Sequence, residues 1–289
     1  MVIGQPAQGR TMALLSDIEM GAVALGVADL DRSLDYYRRT IGLELLERDG
    51  TQALLGVPGR PLLELEARPG GRRDPDAADL FHFALLVPSR EALGQQLQHF
   101  IDTDTRLTGA SEHFVSEALY LRDPDGHGIE VYRDRPRQDW YDGDRFLLGT
   151  APMEVQGVLE AGRTAHGPWH GIDPGTVMGH VHLETTDLAL SKSFYVGTLG
   201  FDVTMDMAQA SFLSLGGYHH HLAVNTWGRR SRPADRSDDA IALLHYEIRL
   251  KDAGALERLA AALDQGPPQG GMLEVDDPTG IRVRLTAPA

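Results

Sequence analysis

From Met20 the chain reads Met-Gly-Ala-Val-Ala-Leu-Gly-Val-Ala-Asp-Leu, an apolar run of strand type that stops at Asp29. Asp29 is placed to cap a helix, because its short carboxylate can accept the first free backbone N–H groups. Beyond it Leu30, Leu34, Tyr37 and Ile41 recur at helical spacing and share one face, and Gly42 stops the helix. Short apolar runs at 53–57 and 62–65 then predict strands. The same text returns from Met178 as Met-Gly-His-Val-His-Leu-Glu-Thr-Thr-Asp-Leu. Asp187 matches Asp29, Phe194-Tyr195 matches Tyr36-Tyr37, and Gly200 matches Gly42. The offset stays constant without a gap as far as Gly217, which matches Gly59, so the chain is internally duplicated.

Each half carries a second, weaker unit. In the first half a strand at 81–87 is followed by a helix with Ala92, Leu93, Leu97, Phe100 and Ile101 on its apolar face. In the second half a strand at 243–250 is followed by a helix with Leu256, Leu259, Ala260 and Leu263. Both units run on to an Asp-Pro-x-Gly turn, at Asp123 and at Asp277. The expected architecture is therefore α+β: four strand–helix–three-strand units. Residues 1–19 read as a tail, 20–132 and 177–289 as two duplicated domains, and 133–176, rich in Gly, Pro, Asp and Arg, as a connecting arm.

The chain's 289 residues and 42% apolar content are enough to fill the cores of two such domains. A net charge of -15 argues against a nucleic-acid or anionic-membrane partner, since both need a basic face. With no cysteine, any metal must be held by His, Asp and Glu. No secretory signal or membrane-spanning run is recognisable, and a soluble cytoplasmic protein is the expectation.

The chemistry concentrates between His113 and Glu130. Residues 118–121 and 129–132 read as strands joined by the turn Asp123-Pro124-Asp125-Gly126. Glu130 then sits among apolar neighbours inside a strand, where a carboxylate is costly unless paired or bound to a cation. A solvent-facing Glu on an edge strand is the plainer alternative. His127, in the turn, is expected at the surface.

Four such units, with a strand ending in Asp, a helix bearing Tyr-Tyr or Phe-Tyr and a Leu-Gly stop, resemble the vicinal oxygen chelate superfamily of glyoxalases, bleomycin-binding proteins and extradiol dioxygenases. In that superfamily two units pair into an open barrel around a metal. His113, Leu119, Tyr120, Asp123, Pro124, Gly126 and Glu130 match the extradiol dioxygenase motif, while Ser111 departs from the residue types usual there. Together with Gly217-Tyr218-His219-His220-His221, the chain looks most like catechol 2,3-dioxygenases of the Bacillus type.

The resemblance implies a mononuclear Fe(II), or Mn(II), held by two His and one carboxylate. It also implies a small aromatic diol and O2 as substrates, and a role in aromatic catabolism. The His ligands stand on first strands and the Glu on a last strand. Unit one has Ala22 at the ligand position, and unit four has His245 but Arg284 in place of the Glu. Only units two and three together offer His82, Glu130 and His180, so these two are expected to share one barrel and units one and four a metal-free one. The resemblance makes His220 the acid/base, with His221 as a fourth ligand under a glyoxalase-like alignment, and puts Tyr120 and His113 beside the substrate. His99, His166 and His170 read as structural, and His182 has no assigned role. A metal-free aromatic-ligand binder and a glyoxalase-like isomerase or lyase are the alternatives. The oligomeric state, a homodimer among the options, is left open.

Overall fold

The computed structural model describes residues 18–165 and 167–288. Most of the expected tail, residues 1–17, and His166 lie outside the described residues. The fold is α+β, with two large sheets curled into half-barrels. The nine-stranded sheet runs in the order Ala151–Pro152, Gly109–Glu112, Ser116–Arg122, Gly128–Asp134, Asp79–Leu86, Val177–Glu184, Leu222–Asn225, Ala210–Ser214 and Asp202–Asp206. The seven-stranded sheet runs Met272–Asp276, Arg282–Thr286, Leu243–Leu250, Ile18–Val27, Arg60–Ala67, Gln52–Val57 and Glu44–Asp49. Each sheet thus takes one unit from each half of the chain: two with three, and one with four. The fourth unit has two long strands after its helix and a single bridge, Gln269 to Met272, in place of the third.

Local rules place the helix starts. Asp29 and Asp187 both cap, accepting from the backbone N–H groups of Arg32 and of Ala189 and Leu190. Both helices widen into a π-turn over their last residues, Tyr37–Ile41 and Ser193–Thr198. Gly42 at φ 89° and Gly200 at φ 87° then reverse the chain in the left-handed region.

The wide turn aims a tyrosine at the next unit. Tyr37 Oη donates to Asp123 Oδ2 at 2.9 Å, and Tyr195 Oη donates to Asp277 Oδ2 at 2.9 Å. In each turn the other carboxylate oxygen accepts backbone N–H groups, from Asp125 and His127 in one and from Thr279 and Ile281 in the other. The two motifs repeated along the chain are therefore each other's partners, and each pair clasps one sheet to the other.

The arm 133–176 is more structured than its composition predicts. It carries the helix Val155–Thr164, which lies across the helix Arg90–Asp102. The two backbones touch at glycines: a Cβ on Gly94 would stand 2.2 Å from the Val158 carbonyl oxygen, and one on Gly162 would stand 2.4 Å from the Gly94 carbonyl carbon. Further along, Trp169 stacks on His99 with ring centroids 3.4 Å apart. The arm joins the two units of the nine-stranded sheet. Among the described residues no helix is long and apolar enough to cross a membrane.

Candidate metal centre

Strand alternation divides the nine-stranded sheet into two faces. Phe83, Leu85, Ile129, Val131, Val181 and Leu183 point into the hydrophobic core. On the other face, pairing lines up two cross-strand rows. One runs Tyr120, Glu130, Ala84, His180, and the other runs Arg122, Gly128 towards His82 and His182. Ala84 leaves room between Glu130 and His180. Gly128 allows the strands to close up beside His82, since a Cβ there would meet the Phe81 carbonyl oxygen at 1.9 Å.

Three side chains converge across these rows. Glu130 Oε2 lies 3.0 Å from His82 Nε2 and 3.1 Å from His180 Nε2, and the two nitrogens are 3.4 Å apart. All three are buried, at 6%, 2% and 1% exposure for His82, Glu130 and His180. Two ligand atoms each about 2.1 Å from one ion, at a right angle, stand about 3.0 Å apart. The observed triangle has that size, and its three atoms are the two nitrogens and one oxygen of a two-histidine, one-carboxylate face.

The charges suit a cation. Burial alone would raise the pKa of Glu130, but His180 and His82 hold it well below the usual carboxylate range. Burial pushes His180 down to about 4 against the pull of Glu130. At neutral pH the site therefore holds an ionised carboxylate beside a neutral imidazole, a buried negative charge that a divalent ion would neutralise. One detail departs from common practice: His180 Nδ1 is buried without a hydrogen-bond partner, whereas a ligand imidazole usually donates its second N–H.

A cavity of about 700 Å3 opens over His82 and Glu130 and is also lined by His220, Tyr120, His113 and His182. His220 stands with its ring 4.1 Å from that of His180. The run leading to it is not a strand, since the strand begins only at Leu222. His219 is buried, its Nδ1 2.7 Å from His220 Nδ1 and its Nε2 2.9 Å from Asp134 Oδ1. A carboxylate only accepts, so His219 donates from Nε2. With both rings neutral, His220 then donates from Nδ1, which leaves its Nε2 as the basic nitrogen. Burial pushes its pKa well below the usual histidine value. His221 faces another way, its Nδ1 accepting from the Leu215 N–H and lying 3.2 Å from Ser214 Oγ.

At the far end His113 Nδ1 donates to the Gly149 carbonyl at 2.7 Å, so its Nε2 accepts the Tyr120 hydroxyl at 2.7 Å. Burial raises the Tyr120 pKa well above 10.0, and the phenol keeps its proton. Two histidines sit differently from expectation. His127 is fully buried, Nε2 3.0 Å from the Gly26 carbonyl of the other sheet, because the clasped turn is covered rather than exposed. His182, without a role in the sequence reading, lines the cavity, and its Nε2 accepts from Asn225 Nδ2 at 2.9 Å. Its place opposite His82 in the strand pairing follows from register, which sequence alone does not supply.

This duplicated fold with its single His-Glu-His cluster among the described residues belongs to the Glyoxalase/Bleomycin resistance protein/Dioxygenase superfamily, whose sequence profile matches residues 19–131. More particularly, the chain is 38% identical over 252 residues to Catechol-2,3-dioxygenase of Bacillus subtilis (strain 168), covering 84% of this chain and 87% of that one. Among solved structures, a Bacillus subtilis protein provisionally called a dioxygenase matches with a TM-score of 0.65 at 13% identity, over 94% of this chain and 86% of that one. Glyoxalase I from Zea mays matches with a TM-score of 0.55 at 19% identity, over 94% and 93% of the two chains. Identities that low bear on the fold alone.

Proposed function

We propose that this protein is an extradiol dioxygenase: it cleaves the ring of a catechol beside the hydroxyl pair, inserting both atoms of O2, at Fe(II) or Mn(II) held by His82, His180 and Glu130. The observation that carries the reading is the three-atom face at metal-ligand spacing, open to a cavity with an imidazole base beside it. When bound, such an ion supplies adjacent open positions for a catecholate and for oxygen. The likeness to a catechol-2,3-dioxygenase over most of the chain supports the same reaction.

The chain's own residues then divide the work. His220 takes a catechol proton on Nε2 and later returns it, held in the correct tautomer by His219 and Asp134. Tyr120, whose hydroxyl donates a hydrogen bond to His113, offers lone pairs to a hydroxyl of substrate. Phe81, Phe212 and Trp227 keep water from the reacting ring.

A glyoxalase-like reading needs a fourth protein ligand. The commitment of His221 Nδ1 to Leu215 and Ser214 counts against that residue, and the base role counts against His220. The test is oxygen uptake, followed with the visible absorbance of the ring-opened product, after loading with Fe(II) under argon and adding catechol and air. One O2 consumed per catechol is expected. Stoichiometric metal with no oxygen uptake, together with turnover of a hemithioacetal, would replace the reaction with the glyoxalase-like one.

A further inference from the structure

On the dioxygenase reading above, we infer that the substrate is a catechol bearing an uncharged, apolar substituent, and that Trp227 with Met207 is the surface that selects it. The cavity changes character along its length. Its inner end is the His82, Glu130, His220 and Tyr120 cluster, which matches the diol. Beyond that, three aromatic side chains form a continuous wall. Phe212 meets His220 edge-on at 5.2 Å between centroids, Phe81 meets Trp227 edge-on at 5.4 Å, and both Phe81 and Trp227 lie against His182, at 4.9 and 5.2 Å. The wall is anchored: Asn225 accepts the backbone N–H of Trp227 through Oδ1 and donates to His182 through Nδ2, both at 2.9 Å. At the mouth Trp227 is 43% exposed and Met207 52% exposed, large apolar side chains left at a rim.

The charged groups point the same way. The one arginine or lysine lining the cavity among the described residues is Arg122, whose Nη1 is taken by the Gly126 carbonyl at 2.7 Å. Asp206, also at the lining, is neutralised by Lys192 at 2.6 Å. A carboxylate on the substituent would leave water for aromatic carbon, and the one cationic side chain at the lining, the Arg122 guanidinium, is exposed and solvated, so it repays little of that cost. Cavities of about 300–1,000 Å3 hold drug-sized ligands, and this one, at about 700 Å3, is large for a bare catechol. Each methylene moved onto the wall is worth on the order of four-fold in kcat/KM.

The test uses two substrates whose side chains both reach four non-hydrogen atoms from the ring, 4-butylcatechol and 3-(3,4-dihydroxyphenyl)propanoate, with catechol as reference. Turnover under air is measured alongside anaerobic binding by tryptophan fluorescence on the Mn(II)-loaded protein. We expect kcat/KM for butylcatechol at least ten-fold above catechol and about 10²-fold above the propanoate, with the same order in binding. Trp227→Ala and Met207→Ala should each cut the butylcatechol-to-catechol ratio several-fold, chiefly through KM. A propanoate that binds and turns over as well as butylcatechol overturns the inference while leaving the dioxygenase reading standing, as do ratios unmoved in both variants. Selective binding of butylcatechol with no oxygen consumed by any catechol keeps the assigned pocket chemistry and removes the reaction.

Discussion

Removing and restoring the metal should move the stability of the protein in a way that a plain polar cluster could not. In the metal-free protein the Glu130 carboxylate is 2% exposed and lies against the two imidazoles and the Tyr120 phenol. No full positive charge faces it unless a histidine takes a proton, and burial pushes His180 to about 4. A divalent ion bound at the triangle cancels that charge, and it binds the folded chain alone. At a free concentration of 1,000 times Kd the linkage gain is about 4.1 kcal/mol. At about 2–4 °C for each kcal/mol, the melting temperature should rise by about 8–16 °C.

The control is Glu130→Gln, which keeps the shape and removes the charge. It should abolish the response to Fe(II) or Mn(II), yet stripped of metal it should melt no lower than stripped wild type, because a buried unpaired charge is gone. Scanning fluorimetry on chelator-treated protein, with and without added metal, reads both quantities. If wild type does not respond to any divalent ion and Glu130→Gln melts several degrees lower, the cluster is a structural hydrogen-bond network and the metal assignment fails.

The remaining expectations are briefer. His220→Phe should retain metal and lose about 10²–10⁴-fold in kcat, and Asp134→Asn, which upsets the tautomer of His219, should lose kcat with little change in KM; a wild-type kcat in both would move the base elsewhere. Glu117 is fully buried between Arg90 and Arg133, with Arg135 at 3.6 Å. Burial would raise its pKa, but the arginines hold it below 4.5, so its stabilisation is present above that value and is lost as pH falls through the folded-state pKa. Glu117→Gln should cost about 3–5 kcal/mol in urea denaturation at pH 7, with a deficit that shrinks in acid; a constant deficit would show that charge is not the cause. Tyr37→Phe should cost about 1–3 kcal/mol by stranding Asp123, and an unchanged denaturation midpoint would refute the clasp.

What could be read from the sequence was what depends on neighbours along the chain. Asp29 and Asp187 declare caps, Gly42 and Gly200 declare stops, and a constant offset declares the duplication. The three residues of the cluster were legible through the family resemblance, which marks a ligand position on each unit and finds Ala22 and Arg284 at two of them. Contacts between distant segments were not legible. The helix Val155–Thr164 carries Gly157 and Gly162, poor helix formers, and it is held where Gly162 meets Gly94. Its spacing of Val155, Val158 and Leu159 was the signal available. The burial of His127 depends on a carbonyl of the other sheet, and the placement of His219 depends on Asp134.

The seven-stranded barrel explains part of this arrangement. Arg284 stands where Glu130 does, bonded to Glu274 at 3.0 Å and 3.7 Å from Glu64, with His245 Nε2 3.5 Å from Glu64. A guanidinium fixed to the chain there neutralises the carboxylates that an ion would otherwise have to satisfy. With no His-Glu-His cluster of its own among the described residues, this barrel supports the other one. Unit one grips the turn that leads into Glu130 at several points. Tyr37 donates to Asp123, and the Gly26 carbonyl meets His127. Asp125 receives Arg32 at 2.6 Å, the Ala28 N–H at 3.3 Å and the Ser33 hydroxyl at 3.4 Å. A ligand carboxylate needs a rigid backbone behind it, because a displacement of a fraction of an ångström spoils coordination. The strand that carries Glu130 begins two residues after that turn, so the clasp between barrels sets the position of the carboxylate. On this view the seven-stranded barrel, which has no such cluster among the described residues, holds Glu130 of the nine-stranded barrel in place.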